Sequence, residues 1–169
     1  MTVPPEPEGL FLRLANVGLH VADIERSLTF YRDVLGMRVH VDSGWDGSPS
    51  VLALSGNADA TAIRIVNLVT ALPGNTSSIT LVQLTGTDRR PVTPRFQDPG
   101  GVHLAFAVTD LDAALSALTA YGVTPVAEPG EVAGGGAGHA RVAFLRDPDG
   151  FFVELVQRLD ASHAKGQLS

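Results

Sequence analysis

Two side chains of the kinds that move protons stand in strand-like surroundings: His103, in His103-Leu-Ala-Phe-Ala-Val-Thr-Asp110, and Glu154, in Phe152-Val-Glu-Leu-Val-Gln157. Strand alternation puts Ala105 and Ala107 on the face of His103, and such small neighbours leave free volume beside an imidazole. That reads as a pocket, with a hydrogen-bonded core histidine as the other reading. Glu154 shares its face with Phe152 and Val156, an apolar setting that suits a general acid or base; an ion pair with a nearby arginine is its alternative. If the two lie opposite one another, a histidine and a carboxylate can transfer a proton without a metal. His20, sharing a face with Asn16 and Gly18, supplies a further polar group to a cavity or is an ordinary satisfied histidine. Trp45 either covers a pocket mouth and stacks on a planar ligand or packs on the surface.

Composition narrows the field in which these residues can act. In 169 residues, 44% are hydrophobic and 18% charged, the profile of an ordered globular chain. Twelve Lys and Arg against eighteen Asp and Glu give a net charge of −6, which repels phosphate backbones and argues against nucleic acid as a partner. Cysteine is absent, excluding disulfides, thiolate metal sites and cysteine nucleophiles, so any metal must use His, carboxylate or amide ligands. The first nine residues lack the basic start and apolar stretch of a signal peptide, and no segment has the roughly 20 apolar residues that span a bilayer. The expectation is a soluble, cytoplasmic protein that takes a small organic molecule and makes no membrane contact.

The elements that must position these residues repeat. Val17, Leu19 and Val21 share one strand face, and Asn16, Gly18 and His20 the other. Asp23, as an N-cap, then precedes Ile24, Leu28, Tyr31 and Leu35 at helical spacing, and Gly36 stops the helix. The pattern returns after Gly101: Asp110 lies 87 residues after Asp23, His103 after Asn16 and Leu115 after Leu28, with Gly122 as the second stop. Thr80-Leu-Val-Gln83 and Glu154-Leu-Val-Gln157 end the two copies at an offset of 74, so the first is 13 residues longer. The surplus is placed in a loop over residues 42–60 around Trp45. Further strands are expected at 38–41 and 62–69, then 124–127 and 140–146. The chain thus reads as two tandem βαβββ modules, α+β in class, at 10–85 and 101–158. A flexible lead-in at 1–9, a linker at 86–100 and a tail at 159–169 complete it.

Other segments carry blander readings. Arg89, Arg90 and Arg95 of the linker could hold a substrate carboxylate or phosphate but are more simply solvated. Gly134-Gly-Gly-Ala-Gly138 has no following Lys-Ser/Thr and opens no helix, so it reads as a hairpin or lid, not a phosphate loop. The Asp147-Pro-Asp-Gly150 turn sets the entry to the last strand, with Gly150 at a positive φ. No nucleophile elbow, Walker loop or dinucleotide fingerprint is present.

Three segments, Val21 to Gly36, Gly101 to Leu111 and Phe144 to Leu155, in this order and in a duplicated βαβββ frame, resemble the vicinal oxygen chelate superfamily. Its members include glyoxalase I, methylmalonyl-CoA epimerase, extradiol dioxygenases and the bleomycin and fosfomycin resistance proteins. The pattern is most similar to that of the glyoxalase I and methylmalonyl-CoA epimerase group. The resemblance implies a cupped mixed sheet around one cavity, closed within the chain or across a homodimer. It also implies that metal-using members draw one ligand from the first strand and one from the last strand of each module.

Carried over by position, the second module supplies His103 and Glu154, and the first places Asn16 and Thr80 at the matching positions. Asn and Thr oxygens are neutral and weak donors, so the set falls short of a tight Zn, Fe or Ni site. Gln83 is a permitted ligand type, but three residues beyond Thr80 it faces the other way unless a bulge intervenes. His20, four residues beyond Asn16, is about 13 Å away along the strand. The leading expectation is a small-molecule enzyme with a reduced or absent metal site, using His103 and Glu154 for isomerisation, epimerisation or cyclisation of an oxygenated substrate. A metal-free sequestering or resistance protein stands second, and a metal-dependent lyase or dioxygenase third. No cofactor is named by the sequence.

Overall fold

A computed structural model describes residues 14–46, 56, 60–72, 77–133 and 138–159. The elements run β1 (Val17–His20), α1 (Ile24–Leu28) continuing as a wider π-helical stretch (Thr29–Val34), β2 (Arg38–Asp46), β3 (Ala62–Val69) and β4 (Ser78–Thr85). Then come β5 (His103–Ala107), α2 (Leu111–Thr119), β6 (Gly130–Ala133), β7 (His139–Arg146) and β8 (Phe152–Arg158). They build two four-stranded mixed sheets of identical order, β1-β4-β3-β2 and β5-β8-β7-β6. In each, the first strand pairs parallel with the last and the rest pair antiparallel. This is the α+β, twice-repeated order that the 87-residue offset predicts. By packing, the described residues up to Ile24 and from Gly36 to Thr87 form one compact unit, and those of Glu25–Leu35 and from Asp88 onward form the other.

In the first unit, Leu19 pairs with Leu81, Leu81 with Val66 and Ile79 with Leu68, so one sheet face is a row of buried aliphatics. Burying such side chains is the main favourable contribution to folding, about 1.5–3 kcal/mol each. In the second unit Leu145, Val153 and Leu155 form the equivalent row, with Leu111 and Leu118 of α2 buried as well. Both helical segments end where the sequence places their stops: Gly36 and Gly122 have φ of +74° and +75°, a conformation glycine adopts without a Cβ penalty. Asp110 caps α2 by accepting a hydrogen bond from the Ala113 N–H at 3.0 Å.

Three expectations are corrected. The second strand does not stop at Val41 but runs to Asp46, so Trp45 stands in β2 paired with Ile63 and not in a loop. Part of the first module's surplus length is therefore strand, and the rest of the expected loop, apart from Gly56 and Ala60, lies outside the described residues. The strand expected at 124–127 forms instead at Gly130–Ala133, because Pro125 and Pro129 have no N–H to give to a ladder. Asn16 lies just outside β1, which begins at Val17. Of the glycine-rich hairpin, residues 134–137 lie outside the described residues.

Candidate functional site

Parallel pairing of β5 with β8 sets His103 beside Phe152 and Ala105 beside Glu154. Antiparallel pairing of β7 with β8 sets Phe144 on the other side of Glu154. One face of the second sheet thereby carries His103, Ala105, Ala107, Phe144, Phe152 and Glu154. His103 Nε2 lies 3.4 Å from Glu154 Oε2, with the two side chains 47% and 19% exposed. That is ion-pair range, longer than a good hydrogen bond, in a pair still reachable from solvent. Ala105 and Ala107 are exposed, and their short side chains leave the space beside the pair open.

Aromatic rings frame the pair. Phe96 stacks on His103 with centroids 6.0 Å apart and an interplanar angle of 27°. It also meets Phe144 and Phe152 edge-on at 5.0 and 5.5 Å. The Arg146 guanidinium lies 4.0 Å over the Phe152 ring. Alternation along β7 and β8 puts Phe144 and Phe152 on the face of Glu154, a signal present in the sequence. Phe96, in the stretch between the modules, has no periodic neighbours to announce it. Of the linker arginines, Arg95 is paired with Asp98 at 2.6 Å.

The first unit carries three of the other expected pocket residues, His20, Thr80 and Trp45, on one face of its own sheet, while Asn16 precedes β1. Thr80 pairs with Gly18 and His20 with Val82. A bulge in β2 between Val39 and Val41 then changes which face the strand presents, so that Trp45 shares the side of Ile63, Ile65, Asn67 and Thr80. Thr80 Oγ1 accepts a 3.0 Å hydrogen bond from Asn67 Nδ2, a partner that no motif marks in the chain. Trp45 is 44% exposed and stands at the border of a cavity of about 490 Å³, whose lining residues Asp42, Arg64, Gln83 and Thr85 alternate onto the sheet face opposite Thr80. Arg64 grips Asp42 with two bonds of 3.0 and 2.8 Å, which hold the Asp42 carboxyl below the usual range.

Gln83 is no substitute ligand. The pairing of β4 runs without a register shift, so Gln83 faces away from Thr80, and its Oε1 accepts the Ile24 N–H at 2.8 Å. Gln157, its counterpart, accepts the Leu111 N–H at 3.0 Å. Both glutamines satisfy a first-turn donor of a helix, which explains why Val-Gln closes both repeats. Among the described residues no group of three or more His, Asp or Glu side chains is gathered closely enough to hold a metal ion. The donors at the four matched positions are one imidazole, one carboxylate, one amide and one hydroxyl already engaged by Asn67. They do not fit the four-ligand centre of metal-using members.

The twice-repeated βαβββ frame is one that comparison with known proteins also reports. The model of the Glyoxalase/Bleomycin resistance protein/Dioxygenase superfamily matches residues 13–155, and the chain belongs to that superfamily. A probable lactoylglutathione lyase of Vibrio parahaemolyticus is 29% identical over 152 residues, covering 89% of this chain and 94% of that protein. A 2-epi-5-epi-valiolone epimerase of an Actinomyces species is 28% identical over 142 residues, 83% and 76% of the two chains. The crystal structure of a glyoxalase family protein from Bacillus cereus shares the fold, with a TM-score of 0.76 at 21% identity over 91% of this chain and 99% of that one.

Proposed function

We propose that this protein is a small-molecule enzyme that shifts a proton on an oxygenated organic substrate, in an isomerisation, epimerisation or cyclisation, with His103 and Glu154 as its acid–base pair. The supporting observation is the 3.4 Å approach of His103 Nε2 to Glu154 Oε2 on an accessible face with room beside it. A carboxylate can take a proton from carbon next to a carbonyl, and an imidazole N–H can supply one to oxygen. Two groups this close can restore each other's protonation state between turnovers. Relatives named as a lyase and an epimerase support an enzymatic reading. No step is routed through a metal, since the matched donors do not fit one.

The test is proton exchange in D₂O, followed by NMR over a panel of 2-hydroxyketones and 2-substituted keto acids. His103→Ala and Glu154→Ala should each lower exchange on the order of 10²-fold or more while leaving the fold intact. Unchanged exchange in both variants rejects the proposal. The rings of Phe96, Phe144 and Phe152 favour a second reading, a protein that sequesters an apolar compound. Recovery of bound compound unaltered after prolonged incubation would support it.

A further inference from the structure

Phe96 is 60% exposed, yet it is not loosely held. The segment that carries it has no helix or strand and is pinned on both sides. Arg146 Nη2 donates to the Pro94 carbonyl at 3.0 Å, while its Nη1 donates to the Gly150 carbonyl at 2.6 Å. Asp98 accepts from the Arg95 N–H at 3.0 Å, and the Asp98 and Gly101 N–H groups bond back to the Arg95 and Asp98 carbonyls at 3.0 Å each. An exposed, preorganised aromatic ring beside a proton-transferring pair is a surface ready for a ligand's π face, because little rotamer entropy is left to lose on binding.

We propose that Phe96 is a recognition platform for a planar, unsaturated or aromatic part of the substrate, and that Arg146 is the positioning residue that holds the platform against His103. This rests on the acid–base reading of the site and adds a substrate class to it. Phe144 and Phe152, meeting Phe96 edge-on, fix the tilt of its ring. Arg146, stacked on Phe152 and bonded to two carbonyls, joins strand β7, the following turn and the Phe96 segment at one guanidinium. His103 is stacked on Phe96, so a planar group resting on the part of the ring that His103 leaves open would lie one ring away from the imidazole, with the reacting carbon or oxygen on a conjugated arm extending past the ring toward the pair. A saturated ring of equal size would have the same apolar area but no π face.

The experiment uses the full chain with 2-naphthol as probe and 2-decalol as its saturated counterpart, each titrated by NMR with the His103 ring protons observed. Expected are saturable 2-naphthol binding with a ring-current shift at His103, and about tenfold weaker binding of 2-decalol, in line with the modest energies of aromatic contacts. Phe96→Ala should weaken 2-naphthol about tenfold and Phe96→Tyr should restore it. Arg146→Gln should weaken it similarly in the wild-type background but add nothing to Phe96→Ala, whereas a merely structural arginine would add its own cost in both backgrounds. Equal affinity for the two probes, or 2-naphthol binding indifferent to Phe96→Ala, overturns the proposal. Binding is read without turnover, so it can fail while exchange still depends on His103 and Glu154, and the two proposals are judged separately.

Discussion

The Tyr31 hydroxyl donates a 2.8 Å hydrogen bond to Asp147 Oδ2 between residues 116 positions apart, and both side chains are buried. The other carboxylate oxygen of Asp147 accepts the N–H groups of Asp149 and Phe151 at 3.0 and 2.8 Å. Asp149 in turn receives Arg26 at 2.8 Å and the Ser27 hydroxyl at 3.2 Å. The Asp-Pro-Asp-Gly turn, expected only to set the entry to β8, also anchors the helical segment Glu25–Leu35. Its glycine does what the sequence implies, with φ of +93°. Burial first, and the Asp147 charge second, push the Tyr31 hydroxyl far above the ordinary tyrosine range. Burial likewise holds the Asp147 carboxyl above its ordinary range, against the pull of its hydrogen bonds.

This pair predicts alkaline sensitivity with a definite sign. Above about pH 10 the tyrosines of the unfolded chain ionise while native Tyr31 keeps its proton, so the native state loses stability as pH rises. Tyr31→Phe should remove that contribution and flatten the decline. At neutral pH the same variant should cost about 1–3 kcal/mol, since a buried carboxylate oxygen loses its donor. Urea denaturation from pH 7 to 11 measures both effects, and parallel declines in the two proteins would exonerate Tyr31.

Asp147 makes the complementary case at acid pH. Because its carboxyl is raised in the native state, the folded protein binds the extra proton between the ordinary carboxylate range and the native value. Stability contributed by that proton is lost as pH rises through this window. Asp147→Asn, which cannot titrate, should lack the decline; the wild-type-minus-variant difference in urea midpoint from pH 3 to 7 isolates it from the exposed carboxylates.

Gln83 and Gln157 should behave as a matched pair. Replacing either by Ala leaves the Ile24 or Leu111 N–H without its acceptor, at about 0.5–2 kcal/mol each. Thermal unfolding of the single and double variants measures this. Unchanged stability in both single variants would contradict the helix-end role.

Ala105, beside Glu154 across the parallel pair, should be a steric gate. Ala105→Leu places an isobutyl group in the space next to the pair. On an exposed position it should change the melting temperature little while raising KM about tenfold or more, as expected when a group intrudes on a ligand's space. Steady-state kinetics with any substrate found in the exchange panel will decide.

Protein purified without chelator or metal-binding tag should carry well below one equivalent of Zn, Fe, Ni, Mn or Co per chain. The reason is donor chemistry: Asn16 is a neutral amide, and Thr80 Oγ1 is already bonded to Asn67. Elemental analysis is the measurement. One equivalent of a single metal, lost in both His103→Ala and Glu154→Ala, would show that the first module does complete a centre.

What sequence alone determined here is local or periodic. Alternation in β1, helix stops at Gly36 and Gly122 and the Asp110 cap follow from the conformational preferences of neighbouring residues, the 87-residue repeat is plain in the chain, and the family resemblance carried by the repeated segments brought His103 and Glu154 forward together. Only the tertiary structure decided what distant residues do for one another. Ile24 meets Gln83 across 59 positions, Tyr31 meets Asp147 across 116 and Arg146 meets Pro94 across 52. The bulge that turns Trp45 toward the face of Thr80 belongs to the same category, because it exists only in the pairing of β2 with β3. Long-range hydrogen bonds impose no period on the chain between their ends. A glutamine that satisfies a helix end and one that binds a metal therefore look alike until the strands are paired.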